Sequence, residues 1–208
     1  MNPSPSPAGA TIDAAPIDVA PIDVAVIYGS AREGRLCDTV AGWTIARIEA
    51  AGGFAVDVLD PADADVARGI DGKDPAARAT LRARIARADA YVVVSPEYNH
   101  SFPAPLKALI DSAKQEWEAK PVAFVSYGGV SGGLRAVEHL RHVFAELHAV
   151  GTRDGVAFAN AAGQFGDGRL RNPEGAEKAA ATMLARLSWW ASALRRAREF
   201  TPYAKAVA

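Results

Sequence analysis

Residues 88–111 read ADAYVVVSPEYNHSFPAPLKALID. A short apolar run, Ala90 to Val94, leads into a polar stretch bracketed by prolines and then into a helical pattern. The run is continuous rather than alternating, which predicts a strand buried on both faces and therefore a parallel sheet. Pro96 and Pro103 fix the direction of the backbone between strand and helix. Pro103 or Pro105 opens a helix with Leu106, Ile110 and Trp117 on its inner side.

The same unit recurs outward from this stretch. Val24 to Tyr28 and Phe54 to Leu59 precede it, Val122 to Val125 follows, and a weaker run lies around Val156 to Phe158. Helical stripes fill the gaps. Leu36, Val40, Trp43 and Ile48 lie near one stripe that Gly52-Gly53 ends. Asp74-Pro75 reads as the cap and first residue of a helix carrying Leu81 and Ile85. Leu134, Val137, Leu140, Phe144 and Leu147 mark a helix stopped near Gly151, and Met183, Leu187, Trp190 and Leu194 mark a long last one. Five β-α units in 208 residues predict an α/β, doubly wound sheet of flavodoxin-like strand order 2-1-3-4-5 with helices on both faces. Residues 1–22, rich in Pro, Ser, Ala and Gly, read as a disordered lead. It contains Ala15-Pro16-Ile17-Asp18-Val19, repeated at once from Ala20 to Val24 as a local duplication. The folded domain is expected over 23–198, with 199–208 as a tail.

In such sheets ligands bind beyond the carboxyl ends of the strands, and the loops leaving runs one, three and four are the least ordinary stretches of the chain. Gly29-Ser30-Ala31-Arg32-Glu33-Gly34-Arg35 enters a helix. Its N–H groups, hydroxyl and guanidiniums suit a phosphate; the bland alternative is a turn with surface arginines. It is neither the dinucleotide glycine pattern nor a Walker A loop. Ser95 to Pro103 is rigid enough to present backbone groups to the polar edge of a planar ring, although Asn99 and Ser101 also suit turn and cap positions. His100 reads as a surface histidine sooner than a catalytic base. Ser126-Tyr127-Gly128-Gly129-Val130-Ser131-Gly132-Gly133 lets the backbone approach a ligand closely, or is a flexible turn capped by Ser131.

Half of the residues are apolar, 23% are charged, and the formal net charge is −1. A near-neutral chain gives no electrostatic reason to expect nucleic acid, and Arg195, Arg196 and Arg198 read as the solvated end of the last helix. No apolar run approaches a membrane span, and no secretory pattern opens the chain. Cys37 is the only cysteine, which rules out an internal disulfide and fits a reducing, cytoplasmic setting. Trp117, Trp189 and Trp190 either pack in the core or cover an interface between copies.

GSAREGR (29–35), SPEYNHSFPAPLKALID (95–111) and KPVAFVSYGGVSGGLRAVEHLR (120–141) together make the chain resemble the NADPH-dependent FMN reductases, a flavodoxin-like group that includes azo, quinone and chromate reductases. The resemblance runs from about residue 23 to 198. It implies that Ser30 and Arg32 hold the FMN phosphate with Arg35 as a helper. Pro96, Glu97, Tyr98 and Asn99 would form the platform and edge of the isoalloxazine ring. Ser126, Gly128 and Gly129 would line its other side or the ribityl chain. NADPH, or NADH, would deliver hydride to the flavin with no catalytic protein side chain. A small acceptor (a quinone, azo compound, metal oxyanion or free flavin) would then take the electrons at the same open face. Arg32, Arg35 or Arg135 would meet the extra phosphate of NADPH. A homodimer or homotetramer is implied as well. Where many relatives carry small hydroxyl or amide residues, this chain has Arg35 and Cys37, and the stretches 60–74 and 160–172 match poorly; either is placed to border the substrate opening. The other reading of the residues is a non-enzymatic electron carrier of flavodoxin type, a class that tends to be acidic where this chain is near neutral.

Overall fold

A computed structural model describes residues 20–166 and 168–206; most of the lead, including the first copy of the repeat, lies outside them. Strand β1 (Ile22–Tyr28) starts within the second copy, so Ile22 belongs to the sheet and not to the lead. The elements that follow are α1 (Cys37–Ala51), β2 (Phe54–Leu59), α2 (Ala64–Asp71), α3 (Pro75–Arg87), β3 (Ala90–Pro96) and α4 (Ala104–Asp111). Then come β4 (Pro121–Tyr127), α5 (Leu134–Glu146), β5 (Val150–Phe158), the single turn α6 (Ala161–Gln164), the two-residue strands β6 (Phe165–Gly166) and β7 (Arg169–Leu170), and α7 (Glu174–Phe200).

The five long strands form one parallel sheet in the order β2-β1-β3-β4-β5, as the continuous apolar runs require. Successive side chains leave a strand on opposite faces. Val24, Val26, Val92 and Val94 therefore pack with Val40 and Ile48 of α1 and with Met183 and Leu187 of α7. Ala25, Ile27, Tyr91 and Val93 pack with Ile85 of α3, Ile110 of α4 and Phe144 of α5 on the other face. Burying each aliphatic side chain of this size contributes roughly 1.5–3 kcal/mol, so removing β3's valines would weaken both layers at once.

Several expectations are corrected. Trp117 is not on α4. The helix ends at Asp111, where the Ser112 hydroxyl turns back to the Leu109 carbonyl (2.7 Å). Trp117 lies in a following 3-10 turn, fully buried with its indole N–H on the Ile110 carbonyl (3.1 Å). It belongs to the core, whereas Trp189 is 65% and Trp190 37% exposed, stacked edge to face on α7. Leu134 opens α5 but is exposed, and the helix stops at Glu146, so Gly151 lies in β5. Residues 60–74 are mostly the helix α2 rather than a loop, and none of them lines the cleft described below. Asp63 caps α2, and Gly69 packs it so closely on Leu81 of α3 that an added Cβ would stand 2.8 Å away.

Of the arginines at the basic end of α7, Arg196 is exposed as expected, but Arg195 and Arg198 are not free in solvent. Arg195 and Arg198 both grip Asp89, which opens β3 and also accepts the Asp23 N–H (3.2 Å). Arg195 bonds the Ala20 and Pro21 carbonyls and Arg198 that of Ala119. Beneath them Lys120 is buried, its ammonium on the carbonyls of Ile85 (3.2 Å) and Ala86 (2.7 Å) and the Tyr91 hydroxyl (3.2 Å). The amino end of the sheet is thus closed by paired charges, with only the Arg195 Nε among them left without a partner in the described residues. The two edge strands also carry charge: Asp57 of β2 is held by Arg84 and Arg87, and β5 presents Arg153 with Asp154 bound to Arg186.

Candidate functional site

At the carboxyl ends of the strands the loops after β1, β3, β4 and β5 converge. Gly29 leaves β1 pressed on β3: its N–H bonds the Val94 carbonyl (2.8 Å), and a Cβ there would meet the Ser95 Cα at 2.8 Å. Only glycine fits that crossing. Ser30 follows, buried, with its hydroxyl on the Tyr98 hydroxyl (3.0 Å) and accepting the Arg32 N–H (3.3 Å). The Arg32 guanidinium lies 5.1 Å from the centre of the Tyr98 ring and, among the described residues, has no carboxylate partner. Loop one and loop two are therefore joined through Tyr98. Helix α1 follows, and Leu36 at its cap position offers no side-chain acceptor, leaving first-turn N–H groups of the kind that favour an anion.

Arg35 sits differently from Arg32. Its side chain is only 9% exposed and forks onto Asp60 at the end of β2, with Nε on Asp38 (2.8 Å) and Nη1 also on the Ser30 carbonyl. The Asp60 hydrogen bond, against the opposing cost of burial, raises its already high pKa.

The second loop closes on itself. Tyr98 and Ser101 exchange backbone hydrogen bonds (2.8 and 3.0 Å), and Asn99 and His100 between them both have positive φ, 48° and 73°. That pair of left-handed residues is the mark of a tight type I′ turn. Asn99 is thus a turn residue, exposed and not part of the cleft lining described below. Glu97 likewise does not offer its side chain to a ring. Its carboxylate crosses to the third loop, accepting the Ser131 hydroxyl (2.7 Å), the Arg135 N–H (3.2 Å) and the Arg135 guanidinium (2.9 Å). It supplies the N-terminal acceptor that α5 lacks, in place of the cap expected from Ser131, since the cap position is Gly133 at φ 84°. Burial pushes the Glu97 carboxyl up, but the bonds from Ser131 and Arg135 outweigh it and hold the carboxyl below its usual range.

In the third loop Ser126 is buried behind the chain, its hydroxyl on the Gly132 carbonyl (2.8 Å). A Cβ on Gly133 would stand 2.8 Å from the Ser126 Cβ, so the glycine packs this loop onto β4. Gly128 and Gly129 face outward and are braced from behind by the Ala161 and Asn160 N–H groups (3.0 and 2.8 Å). The result is a cleft of about 540 Å³ lined by Leu36, Pro96, Glu97, Tyr98, Tyr127, Gly128, Gly129 and residues 160–163. That size suits a cofactor-sized ligand.

Of the residues expected at the site, the fold brings Pro96, Glu97, Tyr98, Gly128 and Gly129 to the cleft and sets Ser30 and Arg32 against Tyr98. It leaves Asn99, Ser126 and Arg35 outside the lining. Asn160 to Gly163, at the start of the poorly matched stretch 160–172, do border it. Tyr127 and Leu36 were not singled out by sequence reading. Tyr127 is 5% exposed, and its hydroxyl has no hydrogen-bond partner among the described residues. Burial, with the Cys37 thiol beside it, raises its pKa. An unmet buried hydroxyl in a cleft wall is a group that a ligand or a water completes.

Residues 22–163 match the family described as NADPH-dependent FMN reductase. The chain belongs to that family. This FMN reductase family member is 36% identical over 127 residues to an NAD(P)H-dependent FMN reductase of Schizosaccharomyces pombe, covering 57% of this chain and 63% of that one. It is 37% identical over 125 residues to an NAD(P)H:quinone oxidoreductase of Solanum tuberosum, covering 56% and 63%. The chain thus spans a little under two thirds of the length of these relatives. Among solved structures, the family member superposes on FerB, a flavoenzyme NAD(P)H:(acceptor) oxidoreductase of Paracoccus denitrificans, with TM-score 0.62 at 23% identity over 84% of this chain and 98% of that one. A Streptococcus pneumoniae flavodoxin superposes with TM-score 0.55 at 15% identity over 80% and 97%. Both likenesses bear on the fold.

Proposed function

We propose that this protein is an NAD(P)H-dependent FMN oxidoreductase that passes electrons to a small acceptor such as a quinone. The observation that carries the reading is the pairing, through Tyr98, of an anion-suited loop holding Ser30 and Arg32 with a cleft walled by rigid backbone. FMN has that shape, a phosphate at one end and a planar ring at the other. When bound, the flavin would supply hydride acceptance and electron release at its ring. The chain's part is to bind and orient. Ser30, Arg32 and the α1 terminus hold the phosphate, Pro96 and Tyr98 support the ring, and Gly128 and Gly129 leave room beside it for nicotinamide and then for the acceptor. The quinone assignment rests on the naming of the plant relatives. NADPH over NADH rests on the family. A cytoplasmic setting and self-association as a dimer or tetramer are part of the same proposal.

The test begins with purification. A yellow protein that takes up FMN more tightly than FAD and oxidises NADPH when given a quinone supports the reading. A yellow protein inert toward NADPH and NADH is instead an electron carrier, and a colourless one that cannot take up FMN is neither. Light scattering at micromolar concentration reads the mass, and a monomer would overturn the oligomer.

A further inference from the structure

Arg35 holds a position in the phosphate-type loop where charge alone would make it a ligand. The geometry points to another role: we propose that Arg35 is a positioning residue, clamped by Asp60, which shapes the loop for the flavin phosphate without touching it. The inference rests on the FMN reading above.

Three contacts carry it. The guanidinium forks onto Asp60, bonds Asp38 and takes the Ser30 carbonyl, while the side chain is nine-tenths buried. Its fork is therefore spent inside the protein, and both carboxylates stand where a phosphate reaching for Arg35 would meet them. Swinging Arg35 to a ligand would strand Asp60, whose other bond is the Ala62 N–H (2.8 Å). The Ser30 carbonyl matters most. The peptide linking Ser30 to Ala31 is planar and trans, as are all peptides among the described residues, so its N–H points opposite to its C=O. Holding the carbonyl toward Arg35 fixes the Ala31 N–H away from it. The same anchoring steadies the Ser30 hydroxyl against Tyr98 and the Arg32 N–H. One arginine thus sets the direction of the Ala31 N–H, and the other, Arg32, is left to meet the anion.

The two roles predict opposite signs at Asp60. If Arg35 were a phosphate ligand, Asp60→Asn would release it and remove a competing negative charge, so FMN would bind more tightly. If Arg35 is a clamp, Asp60→Asn slackens the loop. FMN affinity is then expected to fall about tenfold, while riboflavin, which lacks the phosphate, changes less than about twofold. Arg35→Met should cost FMN a similar factor, and the double variant little more than either alone, since both break one clamp. Fluorescence titration with FMN and riboflavin at fixed salt reads all of these, and retained riboflavin affinity shows that each variant is folded. Asp60→Asn binding FMN as well as or better than the wild type, or losses that add in the double variant, would overturn the inference alone. A wild-type protein that binds no FMN would overturn the proposed function and the inference with it.

Discussion

The two ends of the sheet both carry charge, and they spend it in opposite ways. At the amino end Asp89, Arg195, Arg198 and Lys120 each form ion pairs or bonds to backbone carbonyls, with the Arg195 Nε alone among their charged groups left without a partner in the described residues, and α7 closes over them. At the carboxyl end Arg35 and Glu97 are tied down, but Arg32 has no carboxylate partner among the described residues, the α1 terminus has no side-chain cap, and the Tyr127 hydroxyl is unmet. Paired charge at the amino end belongs to the fold, whereas at the carboxyl end an unpaired guanidinium, an uncapped helix start and an unmet hydroxyl gather around one cleft. Glu97 shows that a carboxylate in a functional loop can still belong to the first class.

The sharpest way to break this comparison is at Asp89. Asp89→Ala leaves two half-buried guanidiniums facing each other, and stability is expected to fall by on the order of 3 kcal/mol. Urea unfolding measures the loss, and the surviving folded protein should bind FMN with unchanged affinity. Arg32→Ala is the mirror case. Unfolding of the flavin-free protein should be unaltered, while FMN affinity falls about ten- to a hundredfold, equivalent to roughly 1.5–3 kcal/mol, and riboflavin affinity holds. Equal loss of both flavins would remove Arg32 from the phosphate end.

Glu97 tests the border between the classes. Glu97→Gln keeps an acceptor but loses the charge, and a loss of about 1 kcal/mol in stability is expected, with weaker binding of FMN and riboflavin alike because both ring walls loosen. The pH dependence has a defined sign. The folded carboxyl lies below its ordinary value of 4.5, so the latch's stabilisation is complete above about pH 4.5 and is lost as pH falls through the lowered value. Thermal melts of wild type and Glu97→Gln should converge on acidification.

Lys120 shows only as a change of stability with pH. Burial, reinforced by Arg198 and only partly offset by Asp89 and Glu116, lowers its pKa to about 8 from 10.5. Between those values the unfolded chain binds more protons, so stability rises with pH, by about 1 kcal/mol from pH 7 to 9. Lys120→Met should flatten that part of the curve, as seen in denaturation midpoints across the range.

What could be read from sequence follows the same division. β1, β3 and β4 were legible because strands buried on both faces have no polar face to disguise them, and β2, a partly exposed edge, was legible from its run of Phe54, Val56, Val58 and Leu59. β5 was legible only at Val156 to Phe158, since Val150 to Gly155 interleaves glycine, arginine and aspartate along an edge. Helix α2 went unread because only Val66 and Gly69 of its eight residues are buried, although Asp63 before it and Gly72 after it carried the signal. The helical spacing that assigned Trp117 to α4 continued past the Ser112 hydroxyl that ends the helix. At the site, prolines and glycines announced the loops. The partners of Arg35 and Glu97 were hidden, because each ion pair joins residues brought together by the fold, 25 and 38 positions apart.

The charged edges of the sheet have a consequence for how copies of this chain can meet. Growth of the sheet by adding a strand from a neighbour would set foreign backbone against Asp57 with its two arginines at one edge, or against Arg153 and the Asp154–Arg186 pair at the other. Such edges resist the stacking that leads to fibrils. Association is thereby steered away from the strands and onto helix surfaces, where the exposed Trp189 and Trp190 stand on α7.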